Sequence, residues 1–119
     1  SYDAAIEKFN YAMKLDEEFS QPYAFRADCF IGKGDYRSAA QDLVKALEID
    51  ANDRAFSMMV ECNDTCYENI IVLMNIKASS DTKETDWDYF LGVAHQGHNH
   101  FRDAIVNYKK SLEKERRFV

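Results

Sequence analysis

Apolar residues in the chain recur at helical spacing and then break at glycines. The first of two stripes comprises Tyr23, Ala24, Ala27, Phe30 and Ile31, and the second comprises Tyr36, Ala39, Ala40, Leu43, Ala46 and Leu47. Residues three or four positions apart share one face of a helix. Gly32 and Gly34 are expected to end the first helix, and Asp35 is suited to cap the second. The pattern predicts a helical hairpin.

The same pattern recurs along the chain. Tyr2, Ala5, Ala12, Leu15 and Asp16 return 34 positions later as Tyr36, Ala39, Ala46, Ile49 and Asp50. A third copy lies 65 positions beyond the second, where Ala27, Gly34, Tyr36, Ala39, Leu43 and Leu47 match Gly92, Asn99, Phe101, Ala104, Tyr108 and Leu112. Ordered matches at a fixed interval are typical of a repeat array, in which each hairpin must stack on its neighbours to bury its apolar face.

These matches divide the chain into one array of four units. We expect a half repeat at 1–19, a repeat at 20–53, a degenerate repeat at 54–84 and a repeat at 85–119, which together give about seven helices and an all-α fold. The degenerate unit has 31 residues rather than 34. Its two stripes would be Phe56, Met59 and Val60, then Tyr67, Ile70, Ile71, Met74 and Ala78. The missing residues come either from its hairpin turn or from the linker near Ser79 to Thr82, before a helix start at Asp86 and Trp87.

Composition narrows the functional classes. The net charge of −6 argues against a nucleic-acid module, which normally presents a basic face to phosphates. The longest apolar run, Ile70 to Met74, is far shorter than the ~18 residues that would insert in a membrane. No basic and apolar leader is visible at the start of this segment. Three cysteines cannot all pair within one chain, so we expect reduced thiols and a cytoplasmic location.

The candidate chemistry is sparse. Cys62 and Cys66 lie four residues apart and could begin a metal site, for which His95, His98 and His100 would be the further ligands. The alternative, which we favour, is that the cysteines pack as small apolar side chains and that no metal or cofactor is bound. The segment from Gly32 to Asp35 lacks the longer signature of a phosphate loop. No nucleophile is placed beside a base, so no catalytic residue is predicted.

The repeats resemble the tetratricopeptide repeat family. That family's pattern begins W-x2-L-G-x2-Y and continues with A-x3-F and a closing proline. Tyr23, Ala27 and Phe30 stand at its tryptophan, glycine and tyrosine positions, and Leu91-Gly92 matches the last repeat. The departures are Arg26 for the leucine, Asp88 for the tryptophan, His95 for the tyrosine, and the absence of every closing proline. The resemblance covers almost the whole chain and implies a right-handed α-solenoid of stacked antiparallel hairpins.

The resemblance also implies a function and a site. Members of the family bind protein segments in a concave groove lined by the first helix of each repeat. The corresponding residues here are Gln21, Ala24, Asp28, Ile31, Met58, Cys62, Asp86, Tyr89, Val93 and Gln96. Such a groove is expected to prefer an apolar peptide with basic flanks. The cationic clamp by which chaperone-binding members hold a carboxylate tail is absent, because its positions carry Ala24, Phe25, Asp28, Ala55 and Met59.

We therefore expect a protein-interaction scaffold that is not an enzyme and is part of a longer tetratricopeptide protein. One alternative is the substrate-recruiting segment of an enzyme whose catalytic domain lies outside these residues. Another is a metal-responsive module built on the cysteines and histidines. The basic helix around Lys109 and Lys110 is a second candidate docking patch, although lysines near a helix C-terminus also suit its dipole.

Overall fold

The computed structural model describes residues 1–80 and 85–118, which form seven α-helices and no strand. The helices are α1 (Tyr2–Leu15), α2 (Gln21–Lys33), α3 (Tyr36–Ile49), α4 (Asp53–Glu61), α5 (Asp64–Ser80), α6 (Trp87–Gly97) and α7 (Phe101–Phe118). The prediction of an all-α fold with about seven helices is confirmed for this part of the chain.

Two of the turns between helices have the same backbone design. Gly34, between α2 and α3, has a φ of 78°, and Asn99, between α6 and α7, has a φ of 65°. In each turn a backbone N–H group donates a hydrogen bond to the carbonyl oxygen five residues earlier. The bond runs from Asp35 to Phe30 at 2.9 Å and from His100 to His95 at 2.8 Å. This bond satisfies a helix-end carbonyl group. The 65-residue match in sequence is thus also a match in backbone geometry.

Gly32 does not end a helix, contrary to the sequence prediction. It lies within α2, which continues to Lys33, and Gly34 alone ends the helix. A Cβ atom at Gly32 would overlap the ring of Tyr2 on α1. Gly92 in α6 has the same relation to the ring of Tyr108 on α7. These two glycines therefore allow an aromatic ring from a neighbouring helix to approach the helix backbone closely.

Polar side chains cap the starts of several helices. Asp35 accepts a hydrogen bond from the N–H group of Ser38, as predicted, at 3.2 Å. Asn52 does the same for α4, at 3.0 Å from the Ala55 nitrogen, and Asp86 caps α6. Each contact satisfies a helix-end N–H group that lacks an intrahelical partner. The predicted helix start at Asp86 and Trp87 is confirmed.

The degenerate segment differs from the other hairpins in how its length is divided. Helix α4 has 9 residues where α2 has 13, and α5 has 17 where α3 has 14. The shortening within this hairpin therefore falls in the first helix, because two residues separate the helices in both hairpins. The Asn63 side chain caps the start of α5, where it accepts a hydrogen bond from the Cys66 N–H group at 2.9 Å. The prediction of a linker near Ser79 to Thr82 is wrong for Ser79 and Ser80, which are the last two residues of α5. The rest of that predicted linker lies outside the described residues.

The core runs through the middle of the chain, between second helices as well as within hairpins. Helix α3 packs against both α2 and α5, α5 packs against α6, and α4 packs more extensively against α6 than against α5. Buried apolar residues along this path include Ala40, Leu43, Leu47, Met59, Ile70, Met74, Trp87 and Leu91. The described chain is elongated, with extents of 46 × 29 × 23 Å. This packing of neighbouring helices is consistent with a helical repeat.

Arg26 forms an ion pair across the α2–α3 interface. Its Nε and Nη2 atoms donate to the two carboxylate oxygens of Asp42, each at 2.6 Å. Its Nη1 atom donates to Asn10 on α1, also at 2.6 Å. The Asp42 carboxylate is buried, and burial raises its pKa while the hydrogen bonds from Arg26 lower it. One guanidinium group thus joins three helices.

Candidate functional site

The residues predicted to line a groove lie on or next to the three first helices, α2, α4 and α6. Gln21, Asp28, Tyr89 and Gln96 are exposed, and Ile31, Met58, Cys62, Asp86 and Val93 are half-buried. Ile31, Met58 and Val93 each pack against the core. Ala24 is only 3% exposed, so its side chain offers almost no surface to a ligand.

An aromatic cluster connects α4 with α6 on this surface. The ring of Phe56 meets Tyr89 at 6.4 Å and Phe90 at 5.4 Å between centroids, both edge to face. Tyr89 is 45% exposed and lies 6.0 Å from Tyr108 of α7. Such rings provide a rigid apolar platform with a polar edge, which is the composition favoured at protein interfaces. Tyr89 is the large exposed side chain of this cluster.

The charged residues of the predicted groove already have partners. Asp28 of α2 forms an ion pair with Arg54 of α4, and the Arg54 guanidinium lies 4.4 Å from the centroid of the Phe25 ring. Asp86 caps α6 by accepting the N–H group of Tyr89 at 3.1 Å. It also accepts a hydrogen bond from Ser111 of α7. Arg54 therefore compensates the charge of Asp28, whereas the donors to Asp86 are neutral groups that leave its charge in place. The preference for basic flanks stays a prediction.

Sequence reasoning missed Arg54 as part of this surface. Its ion-pair partner Asp28 is 26 positions away in the sequence, and the register of α4 was open, so no spacing rule connects the two residues. The available signal was the position of Arg54 directly after the Asn52-Asp53 pair, where Asn52 caps α4. An N-cap at Asn52 places Arg54 in the first turn of α4, on the side where it meets α2.

The other cluster of interest lies where the end of α6 meets α5. The Tyr67 hydroxyl is 2.6 Å from Nδ1 of His95, and the Tyr67 ring stacks on His98 at 4.2 Å and on His100 at 5.3 Å. Nε2 of His98 lies 3.0 Å from the Met59 carbonyl oxygen. Burial lowers the pKa of His95 below its usual range, and the charge of Asp103 opposes this only in part. The histidines therefore connect α4, α5 and α6 through ring contacts and hydrogen bonds.

The cysteines next to this cluster have the character of packed thiols. A hydrogen bond between the two thiols, together with burial, raises the pKa of Cys62, and the same hydrogen bond lowers the pKa of Cys66, which is fully buried. Metal ligation and nucleophilic attack both need the thiolate form. Within residues 1–80 and 85–118, no group of three or more histidine, cysteine, aspartate or glutamate residues is arranged to hold a metal ion. All three cysteines are free of disulfides.

A cleft of about 230 Å³ lies between α3 and α5. It is separate from the surface formed by α2, α4 and α6, which we call the first-helix surface. Its lining includes Val44, Leu73 and Ile76, and the ion pair between Glu48 and Lys77 joins its two helices at 2.6 Å.

Among the described residues, no helix is both long and apolar enough to cross a membrane. Comparison with protein-family models finds no match, and a search of curated protein sequences finds no significant match.

Proposed function

We propose that this chain is a segment of a tetratricopeptide-like, right-handed solenoid that binds a protein segment on the surface of α2, α4 and α6. The observation that carries the proposal is the aromatic cluster of Phe56, Tyr89 and Phe90, which joins two first helices and leaves Tyr89 half exposed. The repeated turn geometry at Gly34 and Asn99 supports the repeat assignment. We propose a helical or extended peptide as the ligand, not a nucleic acid.

The chemistry of the described residues supports binding rather than catalysis. The titratable side chains with distinctive environments are engaged in contacts between helices, as Arg26 is with Asp42 and Tyr67 is with His95. The function we propose is therefore that of a scaffold, in the cytoplasm, where the free thiols of Cys29, Cys62 and Cys66 would remain reduced.

The test is a selection of peptides from a displayed random library on the purified chain, followed by binding measurements with two variants. Tyr89→Ala removes the exposed ring of the first-helix surface, and Tyr11→Ala removes a comparably exposed ring from α1, 66% exposed against 45%. Selected peptides are expected to bind Tyr11→Ala as they bind the unmodified chain. They are expected to bind Tyr89→Ala at least about tenfold more weakly, as truncation of an aromatic anchor typically does.

Circular dichroism of both variants checks that the fold is retained. Peptides that bind Tyr89→Ala as tightly as the unmodified chain would refute the proposed surface. Charge preference has its own variant, Asp28→Asn, which leaves the Arg54 guanidinium without its carboxylate partner. Acidic peptides should gain affinity for Asp28→Asn, and the gain should shrink as salt rises because exposed charges are screened.

A further inference from the structure

Two cysteines meet at the turn between α4 and α5. Cys62 follows the last residue of α4, and Cys66 lies in the first turn of α5. The Asn63 side chain accepts a hydrogen bond from the N–H group of Cys66 at 2.9 Å and so fixes the backbone between the two cysteines. A hydrogen bond also joins the two thiols. Two sulfur atoms in such contact need only a small adjustment of their side chains to form a disulfide bond.

The two thiols differ in their access to solvent. Cys62 is half-buried, and its Sγ atom lies 3.3 Å from the Met59 carbonyl oxygen and 3.8 Å from Nε2 of His98. Cys66 is 0% exposed. A small oxidant therefore reaches the sulfur atom of Cys62 directly, whereas Cys66 reacts through its contact with Cys62.

The two thiols also differ in the protonation state that each favours. The hydrogen bond between them, together with burial, raises the pKa of Cys62, and the same hydrogen bond lowers the pKa of Cys66. The start of α5 adds to this difference, because a helix N-terminus stabilises negative charge in its first turn. Cys62 thus presents the accessible sulfur atom, and Cys66 is suited to attack that atom as a thiolate after it has been oxidised.

The hairpin that contains these cysteines has the least packing between its own two helices. Helices α4 and α5 pack against each other much less extensively than α2 packs against α3 or α6 against α7. A covalent bond across the turn would therefore restrict the orientation of α4 relative to α5, which few direct contacts between these helices restrict in the reduced chain.

We propose that Cys62 and Cys66 form a site of reversible oxidation, at which a peroxide converts the two thiols into a disulfide bond across the α4–α5 turn. This site goes beyond the peptide binding proposed above and does not depend on it. In the cytoplasm proposed for this chain the pair would be reduced at rest, and disulfide bonds that form there are usually transient.

The reaction consumes two thiols and one molecule of hydrogen peroxide. The Cys62 thiolate attacks a peroxide oxygen, so that an S–O bond forms, the O–O bond breaks and hydroxide leaves. The Cys66 thiolate then attacks the Cys62 sulfur, so that the S–S bond forms, the S–O bond breaks and a second hydroxide leaves. The hydroxide ions take up the protons that the thiols have lost, which gives one disulfide and two molecules of water. The first step is the slow one, because a raised pKa leaves little Cys62 thiolate at neutral pH.

The test is oxidation of the purified, reduced 119-residue chain with hydrogen peroxide, followed by alkylation of the remaining thiols and digestion. A protease that cleaves before aspartate separates the two cysteines, because it cuts between Asn63 and Asp64. Cys62 then lies in fragment 53–63, Cys66 in fragment 64–80 and Cys29 in fragment 28–34. We expect the intact monomer to lose two hydrogen atoms and fragments 53–63 and 64–80 to be joined. A thiol reductant should separate them again.

Cys29 provides the internal control. It lies on α2 and is 8% exposed, so it reports the oxidation of a buried thiol outside the pair. Its free thiol should be lost at least about tenfold more slowly than that of Cys62, because oxidation follows exposure. The variant Cys29→Ser should form the same disulfide at an unchanged rate.

Two further variants separate the two steps of the reaction. Cys66→Ser should stop at the sulfenic acid of Cys62, which a cyclic diketone reagent labels. Cys62→Ser should leave the buried Cys66 thiol reduced. Circular dichroism checks the fold of both variants, and the fragment linkage in the unmodified chain decides the proposal if either variant does not fold.

Four results with the unmodified chain would overturn the proposal. The first is oxidation of Cys62 to its sulfinic acid without a linkage to Cys66. The second is a disulfide that joins two chains, seen as a dimer in the intact mass. The third is loss of the Cys29 thiol as fast as that of Cys62, and the fourth is retention of all three thiols in excess peroxide.

Discussion

Replacing Arg26 with leucine should lower the free energy of unfolding, because it leaves the buried carboxylate of Asp42 without a countercharge. The Asp42 side chain is 6% exposed and the Arg26 side chain 23% exposed, and two hydrogen bonds of 2.6 Å join them. Breaking a buried ion pair from one side typically costs ~3–5 kcal/mol, because the remaining charge is desolvated without compensation. Since part of Arg26 is accessible and water can replace it, we expect a loss of about 3 kcal/mol, the low end of that range.

The companion variants form a double-mutant cycle. Asp42→Ala should cost less, about 1–2 kcal/mol, because the Arg26 side chain can turn toward solvent and the lost contact is then an ordinary hydrogen-bonded one. The double variant Arg26→Leu, Asp42→Ala should be more stable than Arg26→Leu alone by about 1–2 kcal/mol, because it removes the buried charge as well. Urea unfolding followed by circular dichroism gives each free energy of unfolding.

The pH dependence of Arg26→Leu provides an independent check. Without its partner, burial raises the pKa of Asp42 in the folded chain above its value in the unfolded chain. The folded state then binds the proton more readily, so Arg26→Leu should recover stability relative to the unmodified chain as pH falls from 7 toward 4.5. Additive costs in the cycle, or a deficit that is independent of pH, would show that Asp42 does not carry a buried charge.

Three further predictions follow from packing and from the histidine cluster. Ala39→Leu places bulk at a position only 1% exposed and should cost ~1–3 kcal/mol, whereas an unchanged urea midpoint would contradict the helix pairing. A chelator should leave the melting temperature unchanged, since structural zinc would otherwise contribute folding energy directly. Because burial lowers the pKa of His95, the unfolded chain gains a proton first, and stability should fall as pH drops through about 6.5. His95→Gln should reduce the dependence of stability on pH in this range. An unchanged dependence would show that another group is responsible for it.

The hairpins α2–α3 and α6–α7 were predictable because local signals agree with the repeat. Asp35 and Asp86 are N-caps that the sequence identifies, and Gly34 and Asn99 recur 65 positions apart at the residues with positive φ. The error at Gly32 has a definite cause. Glycine there permits close approach by Tyr2 rather than a change in backbone direction, and a sequence pattern does not distinguish these two uses.

The α4–α5 segment could be predicted only as two helices. Its apolar stripe gives a face for each helix, but its turn at Cys62 and Asn63 contains neither glycine nor proline. The N-cap at Asn63 is the local signal that fixes the start of α5. The contacts of Arg54 with Asp28 and Phe25 depend on the register of α4, so the electrostatics of the first-helix surface could not be obtained from the stripe pattern.

Two residues that depart from the tetratricopeptide pattern the sequence resembles each have a polar partner on a neighbouring helix. Arg26, at the pattern's leucine position, pairs with Asp42, and His95, at its tyrosine position, contacts the Tyr67 hydroxyl at 2.6 Å. In an array of similar helices, apolar contacts alone discriminate poorly between the right and the wrong neighbour. If α2 packed on α7 instead of α3, Arg26 would meet Asn107, which corresponds to Asp42 in the 65-residue match, and the guanidinium would lose its countercharge. The buried polar pairs therefore favour the observed order of helices, and they do so whether or not each pair adds net stability.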